Sequence, residues 1–167
     1  QKLTLMKTSA DSLKKSADAL NDSSLWEKKK IKKKDEKTGE EIEVEDYDWD
    51  KITKAVKSFV EDYNDVVKEA GESNTKDVLR NASWMTGMTD KNSNMLAKIG
   101  ITIGKGNKLE LDEDALKQAD ISSLKTVFTG YNSFVSKISQ KATGISNAAN
   151  RASATYTNNG TYSKTDS

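Results

Sequence analysis

Cysteine, histidine and proline are absent from the 167 residues. Without thiol or imidazole the chain has no disulfide, no thiolate nucleophile, no Ser-His or Cys-His pair and no thiolate or imidazole metal site, which removes most hydrolytic mechanisms. Without proline no backbone N–H is lost from a helix, so long uninterrupted helices are permitted. Aromatic residues make up only 7% of the chain. No apolar run approaches the roughly 18 residues of a membrane span, and no charged-then-apolar signal segment opens the sequence. Gln1 rather than methionine stands first, which reads as a trimmed piece of a longer protein. The net charge of +1 supplies no global field toward nucleic acid or membrane. What is present, 32% charged against 34% hydrophobic residues, suits one elongated helical domain with a narrow core.

Three stretches alternate apolar steps of three and four. In the middle one, Trp49, Ile52, Val56, Phe59, Tyr63, Val66 and Ala70 lay a seam along a helix that Asp48 or Asp50 can cap and that Gly71 is expected to close in the left-handed conformation. Leu3, Met6, Ala10, Leu13, Ala17 and Leu20 form a thin seam over residues 2–21. The third seam is the longest: Phe128, Tyr131, Val135, Ile138, Ala142, Ile145, Ala149, Ala152 and Tyr156, with Gly130 and Gly144 as tolerated interruptions. Three matching seams predict an antiparallel bundle with Leu13, Phe59 and Ile138 in one core. A further helix is expected through Val78, Leu79, Ala82 and Met85, weakening at Gly87 and over residues 89–94, then a short turn through Met95, Leu96 and Ile99. Met85, Met88 and Met95 read as gap-filling core in preference to an adaptable binding surface.

Two stretches read as hairpins. Residues 24–48 carry a basic arm, Lys28 to Lys34 with Ile31 inside it, a turn with Gly39, and an acidic arm in which Ile42 and Val44 alternate with Glu41, Glu43 and Glu45. Lysines then face glutamates across a ladder, and Trp26, Ile31, Ile42, Val44, Tyr47 and Trp49 are expected to anchor it. Nucleic-acid or acidic-lipid binding by the lysines is the competing reading, opposed by the adjacent acidic arm. Residues 101–111 alternate Ile101, Ile103, Leu109 and Leu111 around Gly104 and Gly106. A phosphate loop there lacks the Gly-Lys-Ser/Thr ending, and Asp112, Glu113 and Asp114 lack calcium-loop spacing, so these acids open a short helix over 113–119.

Read in order, the pieces resemble the family of flagellar filament-capping proteins, also called hook-associated protein two. The resemblance is carried by Phe59-Val60 followed by Tyr63-Asn64, by Leu79-Arg80, by Leu96-Ala97-Lys98-Ile99-Gly100-Ile101, by Gly106 with Leu109-Glu110-Leu111-Asp112-Glu113, and by Leu116, Val127-Phe128, Tyr156 and Gly160. It covers Trp49 to about Gly160. Phe59, Val60, Tyr63, Leu79, Leu96, Ile99, Ile101, Leu109 and Leu111 are the core signature expected from it. It implies a mainly α-helical leg-type domain over 1–160 with a polar tail at 161–167, and no enzymatic activity, cofactor or metal. It further implies export without a cleaved signal peptide, an extracellular place on the bacterial flagellum, homo-oligomerisation at the filament tip, and flagellin or other axial proteins as partners. Only the charged hairpin stands where the family carries large β-rich head domains, and the outermost terminal helices of the family pattern are missing. Because the first helix is short, the long seam from Phe128 to Tyr156 is the expected self-association surface, exposed around Ile145, Ala149, Ala152 and Tyr156. A secreted helical adhesin or protein-binding module reusing the fold is the alternative.

Overall fold

Side-chain bonds to the backbone mark the ends of several elements. The computed structural model describes residues 2–162, with side chains as far as Ala154. Helix α1 (Lys2–Leu20) buries Met6, Ala10, Leu13, Ala17 and Leu20. The indole N–H of Trp26, in a 3₁₀ turn, donates to the Leu20 carbonyl at 2.7 Å and so satisfies a carbonyl that the helix end leaves open. Strands β1 (Lys29–Lys34) and β2 (Glu41–Asp46) pair antiparallel. The Asp48 carboxylate accepts the Lys51 N–H and opens α2 (Trp49–Gly71), whose buried face is Ile52, Val56, Phe59, Val60, Tyr63, Val66 and Ala70. Then come α3 (Lys76–Lys91), α4 (Ser93–Ala97), β3 (Ile101–Ile103), β4 (Leu109–Leu111), α5 (Glu113–Gln118), α6 (Ile121–Phe128) and α7 (Phe134–Tyr162). The fold class is mainly α with two small antiparallel hairpins.

Side-chain bonds give the helix directions. Asp11 meets Ser146 and Asp18 meets Ser139, so α1 and α7 are antiparallel; Ser9 meets Glu69 and Ser16 meets Asp62, so α1 and α2 are antiparallel as well. Along α3, Asp77 lies near Arg151 and Trp84 near Lys141, which makes α3 antiparallel to α7. The bundle thus has four walls, α1–α2–α3–α7, one more than the three seams require. Ala10, Ala17, Ala142 and Ala149 are fully buried, and their small side chains let α1 and α7 approach closely. Gly144 does the same for α3 and α7: a Cβ there would lie 2.5 Å from the Asn81 side-chain oxygen.

Phe59 is the hub of the interior. Its ring meets Phe128 at 6.5 Å and Phe134 at 6.3 Å, both edge-on, and Tyr63 at 6.2 Å, while Trp26 stacks on Phe128 at 5.7 Å. Leu13, Phe59 and Ile138 are fully buried in the same cluster. Against α2 sits the β3–β4 hairpin, held by Asn64. The Asn64 amide donates to the Leu109 carbonyl at 3.0 Å and its oxygen accepts the Leu109 N–H at 2.7 Å, so one side chain satisfies both backbone groups of a strand residue. The Gly100 carbonyl accepts the Asp112 N–H at 2.8 Å and closes the base of the hairpin.

The charged hairpin pairs Lys30 with Glu45, Lys32 with Glu43 and Lys34 with Glu41 on one face, and Lys29 with Asp46, Ile31 with Val44 and Lys33 with Ile42 on the other. Ile31, Val44, Tyr47 and Trp49 are half-buried, but Ile42 is exposed at 38%, contrary to its expected role as an anchor. It shares the inner face with Ile31 and Val44 but lies nearer the hairpin tip, away from the body.

Other expectations change for identifiable reasons. Gly71 remains helical and α2 ends at Glu72 in a right-handed conformation, its N–H bonded to the carbonyls of Ala70 and Glu69, so no left-handed glycine closes it. Helix α3 passes through Gly87 to Lys91; Thr89, which interrupts the apolar period, is buried and bridges the Tyr63 hydroxyl to the Met85 carbonyl. Leu79 is exposed at 40%, because α3 turns Val78, Ala82, Met85 and Thr89 inward and Leu79 falls beside that face. Met85 is buried, and Met88 and Met95 are half-buried against the core. Helix α6 is too short to be distinguished by periodicity. Gly130 breaks the long seam instead of being tolerated within it: its φ of +102° is left-handed, and α7 starts only at Phe134. At the other end α7 runs past Tyr156 and Gly160 to Tyr162; the rest of the polar tail, 163–167, lies outside the described residues.

Two substitutions test this packing by chemical denaturation. Phe59→Ala is expected to cost about 3–5 kcal/mol. Asn64→Ala, which leaves two buried-side backbone groups of Leu109 without their partner, is expected to cost about 1–3 kcal/mol.

Candidate functional site

The long C-terminal seam is the sequence's main candidate for association, and the structure turns it inward. Val135, Ile138, Ile145 and Ala149 are fully buried within the chain and Ala152 is half-buried, because α1 and α3 together flank α7. The expected exposure around Ile145 and Ala149 is therefore corrected. Phe128 is buried on α6, Tyr131 is 85% exposed in the turn before α7, and the side chain of Tyr156 lies outside the described residues. Of the core signature, Phe59, Val60, Tyr63, Leu96, Ile99, Ile101 and Leu109 are buried, Leu111 is half-buried, and Leu79 is the exposed member.

A polar ladder locks the α1–α7 contact. Asp11 and Asp18 stand a heptad apart on α1, and Ser146 and Ser139 a heptad apart on α7; each hydroxyl donates to its carboxylate, at 2.6 Å and 2.7 Å. Bonds from Lys7 and Ser146 hold the Asp11 carboxyl below its ordinary range. Burial pushes the Asp18 carboxyl up, but bonds from Lys14 and Ser139 and the Lys14 charge outweigh it, and the net shift is downward. Asp62 goes the other way: partial burial raises it against a bond from Ser16, with Asp65 and Glu61 adding repulsion. Burial lifts the Tyr63 phenol to about 12, against its bond with Thr89. These shifts belong to helix packing. Among the described residues no group of three His, Cys, Asp or Glu side chains could hold a metal ion.

The outer faces carry the candidate contacts. Between α3 and α7 lies a groove of about 420 Å³ lined by Trp84, Gly87, Met88, Lys91, Lys137 and Lys141. The Trp84 ring is 55% exposed and the Lys141 ammonium stands 4.4 Å from its centroid. Gly87 faces open space, since a Cβ there would meet nothing within 4 Å. Sequence reasoning missed Trp84; the available signal was a tryptophan off the apolar seam in a chain poor in aromatics. A second groove, about 320 Å³, lies under the start of α1 with Leu3, Leu5 and Met6 facing Glu69.

Tyr131 is the third feature. Its ring is in solvent while its backbone is held from both sides. Asn21 donates to the Gly130 carbonyl at 3.2 Å and accepts the Gly130 N–H at 2.9 Å, and the Ser136 hydroxyl donates to the Tyr131 carbonyl at 2.6 Å. Aromatic side chains on rigid backbone lose little entropy on docking and suit protein contacts. The arrangement suits contact with protein surfaces.

The family model described as flagellar hook-associated protein 2 C-terminus matches residues 72–167, the stretch that holds α3 to α7 and both walls of the Trp84 groove. No curated protein and no solved structure matches the chain.

The titrations predict a pH dependence with opposite signs. A lowered carboxyl contributes stability that is present above the ordinary range, about pH 4, and is lost as pH falls through its folded value; a raised carboxyl costs stability above its folded value, and the cost disappears below the ordinary range. In thermal melts, Asp18→Asn should therefore lower Tm at neutral pH and Asp62→Asn should raise it, with both differences fading toward about pH 2–3. Gly87→Ala should stabilise α3 by about 0.5–1 kcal/mol, whereas Gly144→Ala should gain less, as the Asn81 side chain must leave the space of the new methyl.

Proposed function

The chain belongs to the flagellar hook-associated protein 2 family, and we propose that it serves as a filament-cap-type structural protein of the bacterial flagellum, acting by self-association at the filament tip and promoting flagellin assembly there. The observation that carries this reading is the family match over residues 72–167. The family is one of flagellar structural proteins and not of enzymes. Among the described residues no helix is long and apolar enough to cross a membrane. The proposed place is outside the cell, reached by flagellar export without a cleaved signal peptide.

The geometry supports a particular division of labour. The α7 seam is committed to α1 and α3, so neighbours are met by outer faces: the Trp84 groove, the Tyr131 turn and the charged hairpin. Partners on this reading are further copies of the chain and flagellin or other axial proteins. A secreted adhesin-like module would use the same outer faces, and the phenotype separates the two.

Deleting the gene in its source bacterium should reduce motility, shorten filaments and release monomeric flagellin into the medium. Complementation with a Trp84→Ala variant, folded by circular dichroism, should restore less filament than the unaltered gene. Normal filaments without excess flagellin in the deletion strain would refute the capping role and favour the adhesin-like module.

A further inference from the structure

A two-stranded sheet has two open edges, and in the β1–β2 hairpin they carry opposite charge. Strand β1 holds Lys29, Lys30, Lys32, Lys33 and Lys34; strand β2 holds Glu41, Glu43, Glu45 and Asp46. Among the described residues no third strand covers either side. The ladder gives the direction of the free backbone groups. Asp35 donates its N–H to the Glu40 carbonyl at 2.8 Å, and hydrogen-bonded and non-hydrogen-bonded pairs alternate from there. The pairs Lys34 with Glu41, Lys32 with Glu43, and Lys30 with Glu45 are then the non-hydrogen-bonded ones, so their N–H and C=O groups point outward along the two edges. The side chains of these six residues are also exposed.

Lysines on an edge strand ordinarily discourage pairing with another sheet. Here they discourage only a like edge: β1 against β1 would oppose lysine rows, and β2 against β2 would oppose carboxylates. We infer that β1 of one copy pairs with β2 of a second copy of this chain, extending the hairpins into a shared antiparallel sheet. Since β1 and β2 are antiparallel within the chain, copies pointing the same way bring β1 of one antiparallel to β2 of the next, and the alternation of basic and acidic strands continues across the boundary. Such a contact is head-to-tail, using different surfaces on the two copies. This inference rests on the proposed self-association and names the surface that makes it.

Proline at an outward-facing position removes an edge donor without removing a ladder bond, so Lys32→Pro blocks the basic edge and Glu43→Pro the acidic edge. Sedimentation velocity of the 167-residue chain should show concentration-dependent association that weakens as NaCl rises from about 0.05 to about 1 M. Each proline variant alone should be monomeric, with its ladder amides still protected from exchange. Their equimolar mixture should form dimers and nothing larger, because only one complementary pair of edges remains. A chain with residues 29–46 replaced by a Gly-Ser linker, which needs no folded hairpin, should also be monomeric. Association of the linker chain or of either proline variant at the unaltered level would overturn the edge contact while leaving self-association through another face. An unaltered chain that stays monomeric at every concentration would also overturn it. The flagellar role is judged separately, by the deletion phenotype.

Discussion

The close antiparallel contact of α1 with α7 is the constraint on which the other packing depends. Alanines at 10, 17, 142 and 149 bring the two backbones together, and the heptad-spaced Asp11–Ser146 and Asp18–Ser139 bonds set their register. With that register set, the end of α1 meets the start of α7, where Asn21 can clamp Gly130 and Trp26 can stack on Phe128. Phe59 then fills the space among Phe128, Phe134 and Tyr63. Helix α3 closes the fourth side along the groove that Gly144 leaves open.

Much of this was legible because it rests on period. The seams of α1 and α2, the two hairpins and the start of α5, where the Asp112 carboxylate accepts the Ala115 N–H, follow from alternation, spacing and turn chemistry that operate within one segment. What was not legible depends on partners distant in sequence. Gly130 reads as a tolerated interruption until Asn21, 109 residues away, is seen to hold it left-handed. Thr89 reads as a polar break until Tyr63 is found beneath it. Leu79 reads as core because it is apolar, yet the face of α3 is set by α2 and α7, and that face runs through Val78 and Ala82. The outer sites were the least legible, because exposure of Trp84 and Tyr131 is decided by which neighbours are absent, something no local pattern encodes.

The burial of the α7 seam changes how association should be understood. A seam that is already covered cannot also serve as an interface unless α1 or α3 detaches, and detachment would expose Ile138, Ile145 and their neighbours to water. Contacts that leave the bundle closed avoid that cost. On the proposed role they would fall on the hairpin edges, the Tyr131 turn and the Trp84 groove, of which the Tyr131 turn is held by Asn21 and Ser136. The proposed role thus places stability and assembly on different surfaces of a small chain, the interior serving the fold and the exterior serving neighbours.

The central claim is that the α7 seam is core within a single chain. Native-state hydrogen exchange of the backbone amides from Ile138 to Ala149, followed across a wide range of protein concentration, tests it most directly. The account predicts that these amides exchange only through global unfolding, with protection that is the same at low concentration as at high. Protection that is weak in dilute solution and grows as copies associate would contradict it, and would return the seam to the interface between chains.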